Sequence, residues 1–511
     1  MKIAYPALIG RIDAYAVKTL GISEEALIRR AGEAVADCVC ERFADKEKTI
    51  LVLAGGGNNG ADGYAAALFL LSRGYKVRAV DLFGKGQRSE GGRAVLASYK
   101  EVLGEPLSFS QVADESPDIV IDAIFGTGFS GALPMAAVQA AEWVRSKGAS
   151  VVSVDVPLGV DATYGGVLPG ALCASLTVVL SYMKTGLLSY PALDYLGEVM
   201  LRDVGLDIPE IHRAFPELRD ATDEMYIKEH LPSRAAASHK GSFGKAVLFV
   251  GSEQYPGAAA LATEATLRAG VGLVTVASEM GIVKDALARL PEALYRPFIP
   301  FSLWTKTQVE EAIALTDKAS AVLLGCGCGR SEALCALTYA LLDREGAPLV
   351  LDADAINSLA KKREESLLRL KNAKREVLLT PHPLELARLL GQTVNEVQAN
   401  RMRVAWDFAK EYGVSLLLKG ARSVIAVKED VFVNTTGSSA LAKGGTGDVL
   451  AGLVTALLAQ GATPEVSLRI GAYLHGRAAQ MLAKEVSEYG VLPSSLPLQI
   501  AKEISEALKS K

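Results

Sequence analysis

The sequence predicts two α/β domains, each a parallel sheet covered by helices, and three observations predict it. Both halves repeat one order of segments: an apolar run ending in glycine, an amphipathic helical pattern, then a β-branched run. The β-branched runs are apolar throughout rather than alternating, as expected for strands buried on both faces. A stretch of mixed charge at 208–234, interrupted by Pro209, Pro216 and Pro232, separates the halves and places the boundary near residue 220.

In the first half, residues 49–54 read as a buried strand, 55–63 as a loop, 64–73 as a helix and 76–82 as a second strand, one βαβ unit. Further buried strands are expected at 118–125, 150–156 and 176–183, with an amphipathic helix near 136–147. Ahead of them, 23–43 carries a helical pattern with Ser23 as N-cap and an apolar face that covers either the sheet or another subunit. The second half restarts with a strand at 245–251, a helix at 258–269 and a strand at 273–277. Alternation continues through Val322, Leu349, Val377 and Leu416, and two apolar helices at 447–458 and 466–482 close the pattern.

Composition narrows the function. With 511 residues, 50% hydrophobic and 22% charged, the chain forms packed cores rather than a disordered coil. A net charge of −4 without a long basic run removes the electrostatic basis for nucleic-acid binding, which leaves a small-molecule partner. The most apolar stretch, 171–183, is broken by Cys173, Ser175, Thr177 and Ser181 and is too short to span a membrane. The first 21 residues lack a secretory pattern, so a cytoplasmic protein is expected. Six cysteines in this length do not make a disulfide framework.

Gly55, Gly57 and Gly60 fit G-x-G-x-x-G after a strand, and Asp81 ends the next strand. Alone, this pattern predicts a nicotinamide dehydrogenase. The loop continues, however, as Asn58-Asn59-Gly60-Ala61-Asp62-Gly63, with polar side chains where that fingerprint wants small packing residues. Backbone N–H groups at a helix start favour phosphate, and Asn carbonyls ligate a hard cation. A tight turn using Asn and Gly for positive φ is the alternative. Two more clusters end later strands, Asp122-Ala-Ile-Phe-Gly126-Thr127-Gly128 and Asp155-Val-Pro157-Leu158-Gly159. Carboxylates at two strand mouths beside a glycine loop suit cation binding or acid/base work, although either alone reads equally as a loop cap.

These three motifs, in this order, resemble the N-terminal domain of the bifunctional NAD(P)H-hydrate repair enzymes, an epimerase acting on hydrated NADH and NADPH. The resemblance covers roughly residues 1–220 and implies a Rossmann-like parallel-sheet domain. It places substrate on Asn58, Asn59, Gly60, Ala61 and Asp62, and on Gly126, Thr127, Gly128, Phe129, Ser130, Gly131 and Ala132. Asp155 becomes the acid/base carboxylate, and potassium falls to Asn59, Asp122 and the position of Leu158. The family usually reads Asp-x-Pro-Ser-Gly, its serine ligating potassium. Leucine offers no such oxygen, so a weaker site is expected.

In the second half, Gly444-Gly445-Thr446-Gly447-Asp448 precedes an apolar helix. N–H groups of such a turn and the helix dipole stabilise developing phosphate charge, while Asp448 takes a proton from a hydroxyl or holds Mg²⁺ near it. A glycine hinge is the alternative. Lys419-Gly420-Ala421-Arg422 and Thr380-Pro381-His382-Pro383-Leu384-Glu385 each follow a strand, and Asp352 and Asp354 read equally as caps or functional groups. Cys326 and Cys328 read as strand-end packing, because no matching Cys or His pair lies nearby.

The Gly-Thr-Gly-Asp turn resembles the ribokinase-type superfamily. Together with Lys240-Gly241-x-x-Gly244, Tyr255-Pro256-Gly257-Ala258-Ala259 and Lys419-Gly420, it resembles the dehydratase domain of the same repair enzymes over about residues 225–490. The resemblance implies a ribokinase-like α/β domain at 221–511, with ADP as co-substrate and Mg²⁺. The nucleotide would lie on Lys419, Gly420, Ala421, Arg422, Ser423 and Gly447, and the hydrated nicotinamide on Ala258, Gly327, His382 and Asp448, with Asp448 catalytic. The family's usual Gly-Pro-Gly-Leu-Gly reads here Gly325-Cys326-Gly327-Cys328-Gly329. Implied overall is a homo-oligomeric isomerase and lyase that epimerises NADHX and NADPHX and dehydrates the S form. The alternatives are a vitamin or sugar kinase with an N-terminal nucleotide-binding or regulatory domain, and a regulatory binding protein. His382 between two prolines weighs against the first, and retained Asp122, Asp155 and Asp448 weigh against the second.

Overall fold

A computed structural model describes residues 1–84 and 88–509. It contains two compact units, Met1–Ala221 and Thr222–Lys511. The strands of the first are β1 (Lys2–Ala4), β2 (Thr49–Ala54), β3 (Lys76–Asp81), β4 (Ile119–Ala123), β5 (Ser150–Val154), β6 (Leu176–Leu180), β7 (Met183–Lys184), β8 (Glu198–Arg202) and β9 (Arg219–Asp220). Six form one sheet in the order β3-β2-β4-β5-β6-β8, parallel throughout. Strand order reverses between β2 and β4, so the loops leaving these two strands part to opposite sides and open a crevice at their C-terminal ends.

Helix Glu24–Arg42 is capped by Ser23, whose Oγ accepts from Ala26 N at 3.2 Å. Its Val35 and Val39 join Ile50 and Val52 of β2 in one apolar cluster, so this helix covers its own sheet. The loop expected at 55–63 is shorter: the helix begins at Asn58, behind an extended Gly57. The strand expected at 176–183 breaks at Ser181, whose φ is +53° and whose amide gives the ladder its last bond, to Arg202 O at 2.7 Å. The chain then pairs as β7 with β1, in a three-stranded sheet β7-β1-β9 that fixes Lys184.

The second unit has β10 (Lys245–Phe249), β11 (Leu273–Glu279), β12 (Leu294–Phe298), β13 (Ala321–Leu324), β14 (Leu349–Leu351), β15 (Val377–Leu379), β16 (Ser415–Leu418), β17 (Val424–Val427) and β18 (Asp430–Val433). They form one sheet in the order β12-β11-β10-β13-β14-β15-β16-β17-β18, antiparallel only in its last two pairings. The order reverses between β10 and β13, and the Gly251 amide bonds Cys326 O at 2.7 Å across that switch point. Among the described residues no helix is long and apolar enough to cross a membrane.

Helix Thr446–Ala459 buries nearly every side chain, and its Val449, Leu453 and Leu457 share a core with Ala258, Ala262 and Ala265 of helix Pro256–Arg268. Close approach depends on Gly452, where a Cβ would lie 2.3 Å from Ala262 O. Gly452→Ala should therefore lower the stability of the second unit by about 1–3 kcal/mol despite alanine's better helix propensity. Denaturant unfolding of the full chain checks this, and an unchanged transition would mean that the helices do not touch there.

Candidate active sites

The first unit encloses a cavity of about 1100 Å³ at the β2/β4 switch point. Glycine is required at its rim because the β2 loop lies directly on β4. A Cβ on Gly55 would lie 1.9 Å from Ile124 O, and one on Gly60 would lie 2.1 Å from Gly55 O. Asn59 Oδ1 is 3.1 Å from where a Cβ of Gly126 would stand, so two of the sequence motifs meet here. Asn59 Nδ2 is buried and has no hydrogen-bond partner among the described residues. Asn58, Asn59, Asp62, Gly126, Thr127, Gly128 and Phe129 line the cavity, whereas Gly60 and Ala61 are buried outside the lining. Ser130, Gly131 and Ala132 are exposed and also outside it.

The dehydrogenase-like fingerprint fails at its acid. Asp81 is bonded to Arg88 at 2.8 Å and to the Gly84 amide at 3.0 Å, and is not free to hold a ribose. Beside it, Phe83, Phe125 and Phe129 stack in sequence at centroid separations of 5.5 and 4.2 Å, forming an aromatic platform in the cavity wall.

Asp155 follows β5 with a φ of +66°, turned so that its carboxylate enters the cavity. Its Oδ1 accepts from Leu180 N at 3.0 Å and from the ammonium of Lys184, a side chain with no exposed surface. Two further carboxylates face this pair. Burial, then the charge of Asp155, pushes Asp13 up to about 6, with Lys184 opposing. The same two causes hold Asp62 well above the ordinary carboxylate range. Asp13 and Lys184 escaped the sequence reading. The available signal was a lone lysine ending the most apolar stretch of the half.

Asp122 is wholly buried and bound by protein donors: Leu158 N at 2.8 Å, Ser153 Oγ at 3.0 Å and Ile124 N at 3.3 Å. Burial pushes it up to about 6, against these hydrogen bonds. The Leu158 side chain lies in an apolar cluster with Leu53, Val120 and Leu172. Asp122 thus ties β4 to the segment that carries Asp155.

In the second unit, Lys419 leaves β16 and its ammonium bonds Asp352 Oδ1 at 2.7 Å, where Thr380 Oγ1 also donates at 2.9 Å. Burial pulls the ammonium down, but the Asp352 and Glu385 carboxylates outweigh it and hold Lys419 above its usual range. A Cβ on Gly447 would lie 3.2 Å from Lys419 Nζ, so the lysine loop touches the start of the Thr446–Ala459 helix. Burial first, then Asp352, pushes Asp448 up to about 6, while Lys419 and the Cys326 thiol pull it back. Glycine at 420 is required, since φ is +147° and a Cβ would meet Arg401 Nη2 at 2.8 Å. Buried Arg401 in turn donates to Lys419 O at 3.2 Å.

The other predicted positions gather less tightly. Ala421 is exposed, Arg422 has a φ of +56° and donates to Thr435 O, and Ser423 Oγ closes the turn onto Gly420 O. Gly327 contacts Ala258, where its Cβ would lie 2.7 Å from the alanine methyl. Half-exposed His382 caps helix Pro383–Leu390 in a reciprocal box with Glu385. Burial, then Lys419, lowers its pKa. Cys326, read from sequence as packing, lies in the buried core and its thiol also stands near Asp352 and Asp448. Asp352 proves to be the anchor of Lys419.

A family model described as NAD(P)H-hydrate dehydratase matches residues 246–503, and one described as YjeF-related protein N-terminus matches residues 24–186. The chain is 33% identical over 514 residues to a bifunctional NAD(P)H-hydrate repair enzyme of Moorella thermoacetica, covering 97% of this chain and 95% of that one. It is 31% identical over 489 residues to one of Escherichia coli, covering 96% and 91%. A solved structure of the ADP/ATP-dependent NAD(P)H-hydrate dehydratase of Bacillus subtilis, co-crystallized with ATP/Mg²⁺, aligns with a TM-score of 0.50 at 31% identity. That alignment covers 56% of this chain and 97% of the other. With both halves matched and nearly the whole length aligned, the chain belongs to the bifunctional NAD(P)H-hydrate repair enzymes, an epimerase joined to an ADP-dependent dehydratase.

Proposed function

We propose that epimerisation takes place in the cavity of the first unit, with Asp155 as its acid/base group. The hydrate carries a hydroxyl next to the ring nitrogen. Protonated loss of that hydroxyl leaves an iminium ring, and water re-enters from either face. The observation that carries this reading is one buried ammonium, Lys184, bonded to Asp155 and faced by two carboxylates, Asp13 and Asp62, that burial makes proton-holding. Asp13, pushed up to about 6, is poised to hold or release a proton near neutrality beside Asp155. The Phe83, Phe125 and Phe129 platform suits a planar ring of the dinucleotide, which gains stacking contact there.

Dehydration of the S hydrate is assigned to the second unit. Hydroxide leaves poorly, so the hydroxyl oxygen first attacks the terminal phosphorus of ADP while Asp448 takes its proton, giving AMP and a phosphate ester. Phosphate then departs, and loss of a ring proton restores the reduced nicotinamide. Amides at the start of helix Thr446–Ala459 face the developing negative charge, and Lys419 stands beside Gly447 to neutralise it. The carboxylate oxygens of Asp448 and Asp352 suit magnesium entering with the nucleotide, which neutralises phosphate charge when bound.

Potassium fits the first unit poorly. Asn59 offers one amide oxygen beside Gly126, but Asp122 is already bound by three protein donors and Leu158 faces the core. The proposal is a weak site, with no proton transfer routed through it.

Crossed substitutions test the assignment. Asp448→Asn should slow ADP-dependent dehydration by roughly 10²–10⁴-fold and leave epimerisation intact, and Asp155→Asn should do the reverse. Both are read from the return of reduced-nicotinamide absorbance in mixed hydrates, after subtraction of spontaneous epimerisation. Full yield at the normal rate from Asp155→Asn would remove that residue from the mechanism. Replacing potassium by a bulky organic cation should change the epimerase rate little in this chain and more in Leu158→Ser. An equally strong requirement in both would show that backbone oxygens suffice.

A further inference from the structure

We propose that Cys326, Asp352 and Asp448 form a binding site for a thiophilic divalent cation, zinc above all, in the second unit. Cys326 Sγ and one carboxylate oxygen from each aspartate all lie within 4.8 Å of one another. The Sγ to Asp352 Oδ2 distance is 3.7 Å. Two ligands of one tetrahedral zinc, with bonds of about 2.3 Å to sulfur and 2.0 Å to oxygen, stand about 3.5 Å apart, so this pair needs almost no movement.

A second observation concerns how Asp352 is shared. Its side chain is 2% exposed, and its Oδ1 is fully engaged by Lys419 and Thr380. Its Oδ2 meets only the thiol, a weak donor, among the described residues. A buried carboxylate oxygen therefore points at a sulfur with nothing stronger between them, and a cation between the two satisfies both. Charge balances as well: a thiolate and two carboxylates offset Zn²⁺ together with the Lys419 ammonium. On binding, a Zn–S bond forms, the S–H bond breaks and its proton leaves to solvent, with no change of oxidation state. Half-buried Asp448 leaves a fourth position for water.

Sulfur sets the selectivity. Magnesium prefers oxygen ligands and gains little from a thiolate, whereas zinc gains a strong bond, so Cys326 biases this site toward zinc. Cys328 takes no part, because its thiol points to Phe249 O at 3.1 Å. Occupancy ties up the Asp448 carboxylate, so zinc inhibits dehydration; that consequence rests on the function proposed above, but the site itself does not.

Cobalt is the probe, titrated into the full metal-free chain. One equivalent should give the near-ultraviolet thiolate-to-cobalt charge-transfer band and be displaced by zinc. Cys326→Ser and Cys326→Ala should lose the band and weaken zinc binding by at least about 10–100-fold, and Asp448→Asn should weaken it while keeping the band. Cys328→Ser should behave as wild type, with circular dichroism confirming that each variant is folded. A wild-type chain without the band, or a band that survives both Cys326 substitutions, would overturn the site whatever the dehydratase assay shows.

Discussion

Each candidate site is built around a buried lysine bonded to an aspartate beyond the C-terminal end of a parallel strand: Lys184 with Asp155, and Lys419 with Asp352. Burying such a pair is costly, and it is retained only where the geometry and additional hydrogen bonds repay the lost hydration. In both units the pair creates a place where other carboxylates can hold protons near neutrality. Asp13 and Asp62 face the first pair and Asp448 faces the second, and burial raises all three. At Asp13 and Asp448 the nearby ammonium opposes that rise.

Backbone topology puts these pairs where substrate can reach them. Each sheet reverses strand order once near its middle, between β2 and β4 and between β10 and β13, and glycine-rich segments leave the strands at those reversals. Glycine there is a matter of space. Gly55 and Gly60 in the first unit, and Gly327 and Gly452 in the second, bring backbone or methyl groups closer than any side chain permits. The positive φ of Asp155 is a local strain that the ladder to Val178 O and the bond to Lys184 hold in place.

Much of this was legible in the sequence, for a physical reason. Strands buried on both faces carry their own signature and caps are local, so the central parallel strands of both sheets and the Ser23 cap followed from short segments. What escaped were groups brought in by distant chain. Lys184 reaches Asp155 because the strand breaks at Ser181 and β1 captures Met183 and Lys184. Asp13 arrives on helix Pro6–Lys18, which carries no motif. Asp81 matched a dinucleotide fingerprint, yet Arg88 occupies it. Cys326 does pack in the core, but its two carboxylate neighbours come from later elements and left no local signal.

The central claim is that a buried lysine tunes the carboxylates around it, and the pH dependence of dehydration in Lys419→Met tests it most directly. In the proposed mechanism Asp448 acts as a base and must be deprotonated, so wild-type kcat/KM should fall as pH drops through about 6. Removing the ammonium removes an influence that lowers Asp448, so the acid limb of kcat/KM, which reports the free enzyme, should move to higher pH in the variant, whatever the loss in absolute rate. An acid limb that stays in place, or moves to lower pH, would contradict the account.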